Sequence, residues 1–390
     1  MFSTTKSSAT LFSLHRAAST TAESASSKPK LFNLVSVKES RSPVYKGLGL
    51  INPHRSLSVS CSSRSEQNGS SHKSSIQGSE AFLRGVLESM QSVYLNRNPT
   101  AEAILELVHS AENNPLCYDH LAFRTFGVTG YGIDSMASFF LDYGYTRREE
   151  LRFPAKKLRA LWFSPPADSQ DGGGRGIKGP LPRIFISELI VDQMSPQTQE
   201  IIKKYIASSG NGNQYAALAS SLGLLTWEKP SYSEFQQLAS ESEYAAWTLV
   251  NGHALNHVTI SAHRLKTELR DIKNLNRFIE ESGFRLNSEG GVLKVSPDGL
   301  LLQSSTVADS MPFQFSDGAT ESVPCSYIEF AERLVLPQYK NLPAIELGNA
   351  DLKIKLMEQV KEFHRRDGFE VGNADKIFES TSKDQLSRVG

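Results

Sequence analysis

Between Ser79 and Leu95, apolar residues recur at Phe82, Leu83, Val86, Leu87, Met90 and Val93. Steps of three and four predict a helix with one buried face. A second helix follows Pro99, carries Ile104, Leu105, Leu107 and Val108, and stops before the turn Asn113-Asn114-Pro115. The pattern then changes to short apolar runs. His120–Phe126 reads as a strand ended by Gly127, and Ile133–Asp142 as a helix closed at Gly144-Tyr145. Thr146–Phe153, Leu158–Phe163 and Arg183–Val191 read as three more strands, the last two separated by a Gly-rich loop. Pro196, behind Ser195, opens a helical stretch of three segments that runs to about Val250.

The same order then returns. Asn256–Ser261 reads as a strand, and Leu269–Ser282 as a helix closed at Gly283-Phe284. Val292–Val295 and Leu300–Thr306 are strand-like runs joined by the turn Ser296-Pro297-Asp298-Gly299, and Ser326–Leu334 is a last strand. A final helix is predicted at about Asp351–Arg365. The pattern predicts an α+β fold in which two β-α-β-β-β modules, about 116–191 and 254–335, form a curved sheet around a cleft. A helical insertion at about 195–250 lies between them. The catalytic domain then spans about 79–370, with 371–390 left as a C-terminal tail. Asp119-His120 in the first module corresponds to Asn256-His257 in the second, and the last strands carry Glu188 and Glu329.

Composition divides the chain further. The 42 basic and 42 acidic side chains cancel, which argues against a nucleic-acid binder. Residues 1–60, however, hold eight Lys/Arg against two Glu, together with fourteen serines. A basic, Ser-rich, acid-poor leader of this kind reads as an organelle transit peptide, plastid first and mitochondrial as the alternative. Val59-Ser60-Cys61-Ser62 resembles a plastid processing signal, and residues 61–78 read as a disordered lead-in. No apolar run approaches the roughly 20 residues of a membrane span. Three cysteines leave no disulfide framework and no Cys-based zinc site.

Of the histidines in the body, His120 and His257 stand apart, because each opens an apolar strand at matching places in the repeat. A lone histidine there would ordinarily be a satisfied core residue. Two in register, with a carboxylate on a later strand, point to a divalent metal. Two imidazoles and one carboxylate fit the facial set that leaves open positions on Fe(II), although zinc or nickel accepts similar ligands. Glu329 is preferred over Glu332 because Ala331 shares its face and Glu332 lies nearer the strand end. His253 and His257 would pair only on a helix, and Val258-Thr259-Ile260 favours a strand. Strand alternation puts Arg124 on the His120 face, as a clamp for a substrate carboxylate or, more plainly, an ion pair with Glu188. Gln303 and Ser305 share one face of their strand and either line a wet pocket or face solvent.

Asp119–Phe126, Asn256–Thr259, Gln303–Asp309 and Tyr327–Arg333 resemble the 2-oxoadipate dioxygenase/decarboxylase family over about residues 80–370. The leader suggests its plant, plastid-targeted branch. The resemblance implies a vicinal-oxygen-chelate-like fold and Fe(II) held by His120, His257 and Glu329. It implies Arg124 as the substrate-carboxylate residue; Gln303 and Ser305 are candidate substrate-binding residues from strand alternation alone. The implied reaction takes 2-oxoadipate and O2 to 2-hydroxyglutarate and CO2, a step of lysine breakdown. Bacterial members carry a longer C-terminal part that contributes to the pocket, and its counterpart here is not evident. A glyoxalase-like lyase or isomerase using a non-redox metal, and a small-acid binding protein, are the two rival readings.

Overall fold

The computed structural model describes residues 70–169, 174, 176–340 and 360–388. The leader, part of the Gly-rich loop and most of the predicted 351–365 helix lie outside the described residues. Two helices, α1 (Ser70–Arg97) and α2 (Pro99–Glu112), precede the first module. That module runs β1 (Tyr118–Gly127), α3 (Ile133–Asp142), β2 (Thr146–Phe153), β3 (Leu158–Ser164) and β4 (Arg183–Ile190). The insertion holds α4 (Pro196–Ser209), α5 (Ala216–Leu222), α6 (Tyr232–Glu241) and α7 (Glu243–Asn251). The second module runs β5 (Leu255–Ser261), α8 (Ile272–Glu281), β6 (Lys294–Val295), β7 (Leu301–Ser305) and β10 (Tyr327–Arg333). A separate hairpin, β8 (Ser310–Gln314) and β9 (Thr320–Pro324), interrupts it.

The eight module strands form one curled sheet in the order β2-β3-β4-β1-β5-β10-β7-β6. In each half the first strand sits at the centre of the whole sheet and the last strand runs parallel beside it. β1 and β5 meet antiparallel, with His120 opposite Thr259 and Ala122 opposite His257. That register relates the two halves by an approximate twofold axis between the central strands. Period-two alternation then sorts the side chains. Leu121, Phe123, Val258, Ile260, Ile328 and Phe330 pack outward against α1, α2, α3 and α8. His120, Ala122, Arg124, His257, Tyr327 and Glu329 face inward. All residues of β5, and all of β1 except Gly127, are buried or nearly so, because helices cover both faces of the central pair.

The register corrects one expectation. Glu329 lies opposite Thr259, two residues past His257. The matching position in the first half, opposite Ala122 and two past His120, is Phe185. Glu188 lies three residues further on, an odd step that turns it to the other face. There it accepts the Ile133 backbone N–H at 2.8 Å, at the start of α3, and pairs with Arg159 at 2.6 Å. It is not the partner of Arg124.

Other differences are local. α1 begins at Ser70, not Ser79, since extending an established helix is far cheaper than starting one. The insertion has four helices where three were expected, and Ser242 caps the last of them, its side chain accepting the Ala245 N–H. The 292–295 strand shrinks to Lys294–Val295. Of the predicted last helix, the described end holds only a 3-10 turn at Glu362–His364. The presumed tail is folded: helices Val371–Ile377 and Lys383–Ser387 flank the turn Phe378–Thr381, and Asn373, Ile377, Ser380 and Gln385 are buried. Its apolar residues are few and widely spaced, so the pattern concealed it.

Candidate metal centre

Three adjacent strands, β1, β5 and β10, deliver one inward side chain each to the same point. His120 Nε2 lies 3.2 Å from His257 Nε2, His257 Nε2 lies 3.0 Å from Glu329 Oε2, and His120 Nε2 lies 3.6 Å from the same oxygen. All three residues are buried, and among the described residues they form the one His/Cys/Asp/Glu group close enough to hold a metal ion. Glu332 is not in that group; it accepts the Ile272 N–H at the start of α8. His253 is also outside it, packed against Trp227, and burial lowers its imidazole to about 4.

The residue before each histidine fixes its ring. Asp119 Oδ2 lies 2.8 Å from His120 Nδ1, and Asn256 Oδ1 lies 3.1 Å from His257 Nδ1. Each oxygen accepts an Nδ1–H, which leaves the Nε2 lone pair facing the other ligands. Asp119 is itself held by Arg333, with contacts of 2.6 and 2.9 Å, and by Arg183 at 3.5 Å. Burial would raise the Asp119 carboxyl, but these guanidiniums and the His120 bond hold it well below the usual range. Burial pushes His257 down, and Glu329 only partly opposes it. For His120 the net direction reverses: burial is again the largest single effect and lowers the imidazole, yet Glu329 and Asp119 together raise it. Burial likewise raises the Glu329 carboxyl, but the two imidazoles bring it down to about 2. The cluster is therefore an anionic, imidazole-rich donor set, which suits a borderline divalent cation.

The other expected site residues lie around it. Gln303 Nε2 donates to Glu329 Oε1 at 2.7 Å, and Gln303 Oε1 accepts from Asn373 at 3.0 Å. Its amide is thus engaged on the ligand glutamate. Ser305 lies opposite Glu329 in the β7–β10 ladder, and its hydroxyl is 2.9 Å from Ser380 in the C-terminal turn. Arg124 donates to Thr381 Oγ1 at 3.0 Å and to the Phe378 carbonyl at 3.3 Å. Its guanidinium carbon lies 5.1, 5.0 and 5.7 Å from the ring centres of Tyr244, Trp247 and Phe378. Neutral acceptors and π faces surround this buried cation, and its Nε has no partner.

Two cavities meet at this point. One of about 20 Å³ lies among the three ligands, Phe185, Gln303 and Tyr327, closed by Phe369, Ala374, Ile377 and Phe378. The other, about 250 Å³, reaches Arg124, Tyr244 and Thr381, and its lining also holds Lys156, Lys157, Glu241, Glu243 and Glu379. Phe378 is a wall of both.

The model of the 2-oxoadipate dioxygenase/decarboxylase family matches residues 86–345. This chain belongs to that family. It is 67% identical over 327 residues to the 2-oxoadipate dioxygenase/decarboxylase, chloroplastic, of Arabidopsis thaliana, spanning 84% of this chain and 85% of that protein. It is 66% identical to the chloroplastic/amyloplastic protein of Oryza sativa subsp. japonica, spanning 80% and 82%. The crystal structure of the hydroxyglutarate synthase from Oryza sativa in complex with 2-oxoadipate matches with a TM-score of 0.75 and 66% identity, over 80% of this chain and 95% of that one. A glyoxalase-superfamily protein from Ralstonia eutropha matches with a TM-score of 0.50 at 18% identity, over 64% of this chain and 82% of that one. That places the fold among vicinal-oxygen-chelate-like proteins.

Within this family member, sequence reasoning missed the residues that back the ligands. Asp119 and Asn256 carried a signal, since each directly precedes a histidine at matching repeat positions. Tyr327 and Arg333 carried a weaker one, since alternation puts both on the Glu329 face; Phe369 and Phe378 carried none, because they reach the site only through the folded C-terminal segment.

Proposed function

We propose that this chain holds Fe(II) through His120, His257 and Glu329 and converts 2-oxoadipate and O2 to 2-hydroxyglutarate and CO2 in the plastid, as a step of lysine breakdown. The observation that carries this reading is the convergence of two Nε2 atoms and one carboxylate oxygen in a buried site. The relatives bearing the matching name supply the reaction class. The donor set fits the metal: both Nε2 atoms are freed by their Nδ1 bonds, and Glu329 Oε2 faces them. Bound Fe(II) would supply open positions for a 2-oxo acid and O2 and the redox capacity the reaction needs.

The protein's share is binding and orientation. Asp119 and Asn256 hold the imidazole rings. Gln303 holds Glu329 Oε1 and leaves Oε2 for the metal, so we assign it to ligand positioning as well as to the pocket wall. Arg124 takes the carboxylate farthest from the keto group, an assignment supported by its burial and by hydrogen bonds that go to neutral acceptors. Ser305 supports this through Ser380, which is in the same turn as Thr381. Phe185, Phe369, Ile377 and Phe378 exclude water from the reacting end. Among the described residues no helix is long and apolar enough to cross a membrane. The basic leader and the plastid names of both relatives support the location.

Anaerobic reconstitution with Fe(II), followed by O2 uptake and CO2 release across a panel of 2-oxo acids, tests the reading. The expected result is one O2 consumed per 2-oxoadipate. Turnover without O2 would make the protein a lyase or isomerase, and tight binding without turnover a small-acid binding protein. Import into isolated plastids tests the location.

A further inference from the structure

Tyr327 opens β10 opposite His257, and its ring stacks on that imidazole at 4.7 Å with an angle of 25°. Its backbone carbonyl accepts the Tyr94 hydroxyl at 2.6 Å, which fixes the chain at this point. Its side chain is 2% exposed and lines the metal cavity. The hydroxyl nevertheless has no hydrogen-bond partner. Buried hydroxyls without partners are rare, since an unmet donor costs most of its hydration.

A second unmet donor lies beside it. The Arg124 guanidinium is the strongest charge acting on this hydroxyl. Yet no well-formed hydrogen bond joins the two, and Arg124 Nε is also without a partner. The remaining guanidinium nitrogens are already committed to Thr381 and Phe378. The two cavities that share Phe378 thus present an O–H and an N–H, both buried and neither in a well-formed hydrogen bond. A carboxylate offers two oxygens to such a pair, and a positive charge beside it favours the anion.

We propose that the Tyr327 hydroxyl and Arg124 Nε form a single receptor for the carboxylate farthest from the keto group, making Tyr327 a specificity-determining residue for 2-oxo diacids. This deepens the function proposed above and rests on it for the identity of the substrate. The hydroxyl donates to one carboxylate oxygen and Nε–H to the other. Tyr327 also touches His257, so the same ring marks the distance between the metal end and the far end of the substrate.

Tyr327→Phe removes only the hydroxyl and keeps the stacked ring, so an unchanged melting temperature is expected. In Fe(II)-loaded protein, kcat/KM for 2-oxoadipate should fall about tenfold, mainly through KM. Turnover of 2-oxohexanoate, which has the same chain length but no far carboxylate, should stay within about twofold of the wild type. Calorimetric titration of metal-free protein with adipate should show a similar loss of affinity in the variant. Equal losses on both 2-oxo acids would overturn the proposal by placing the hydroxyl at the keto-acid end. Adipate bound equally by wild type and variant, or not bound by the wild type, would overturn it too. If the wild type turns over neither 2-oxo acid, the functional reading fails, and the adipate titration still decides the receptor.

Discussion

The two halves of the sheet share strand order and pairing, yet they carry different loads. The second half supplies His257 and Glu329, and its histidine is backed by a neutral amide, Asn256. The first half supplies only His120, backed by an aspartate that two arginines grip. Where the second half has Glu329, the first has Phe185, and where the first has Arg124, four residues past its histidine, the second has Ser261. A twofold scaffold would place two histidines and two carboxylates around one ion. Replacing one carboxylate by phenylalanine keeps a position free and makes one side of it apolar. The half that gives up a ligand gains a buried cation, Arg124, which is proposed above to hold the substrate. One backbone plan thus carries the candidate metal ligands mostly on one half and the candidate substrate cation on the other.

The largest effects should fall on the three ligands. His120→Ala, His257→Ala or Glu329→Ala should each lower turnover by three orders of magnitude or more while the fold survives, read by metal content, O2 uptake and circular dichroism. Retained metal in Glu329→Ala would break the assignment of two ligands to the second half. Arg124→Ala should cut kcat/KM for 2-oxoadipate by one to two orders of magnitude and leave metal content unchanged. Arg124→Lys should recover little, because a point charge does not reproduce the planar fork. Equal loss on 2-oxohexanoate would make Arg124 structural.

The backing residues sharpen the comparison through stability. Asp119→Asn leaves Arg333 without its carboxylate, while Arg183 keeps Asp367 and Glu362, and should cost about 3–5 kcal/mol. Asn256→Ala should cost less, about 1–3 kcal/mol. Chemical denaturation of both variants checks the order, and equal costs would mean that the arginines do not distinguish the halves.

The smallest effect concerns acid. In metal-free protein the Glu329 carboxyl sits at about 2, below its unfolded value of roughly 4.3. The folded state therefore binds fewer protons in between, so this contribution is complete above about pH 4.3 and is lost as pH falls toward 2. Urea unfolding of the metal-free protein between pH 5 and 3 should show a shallower decline for Glu329→Gln than for the wild type.

The local pattern exposed much of this. Strand alternation alone put His120 and Arg124 on one face, and the repeated Asx-His openings marked both imidazoles. What it concealed depends on pairing between distant segments. Glu188 looked like the twin of Glu329 because the last strands of both modules carry a carboxylate. Only the β1–β4 register reveals the offset of three. Arg333 reaches Asp119 across 214 positions, a contact that no local periodicity encodes. Phe378 and Thr381 belong to a short turn whose fold depends on the sheet already being present.

That turn has a consequence for how the protein is made. The ligands are at positions 120, 257 and 329, whereas Phe378 and Thr381 lie within a dozen residues of the C-terminus. During synthesis, and again as the chain emerges N-terminus first from an import pore, the metal ligands arrive well before the wall that encloses them. A chain made only as far as β10 lacks Phe369, Ile377 and Phe378 from the wall of its cavity. The closing piece follows the ligands, so the cavity is walled only after all three have been made.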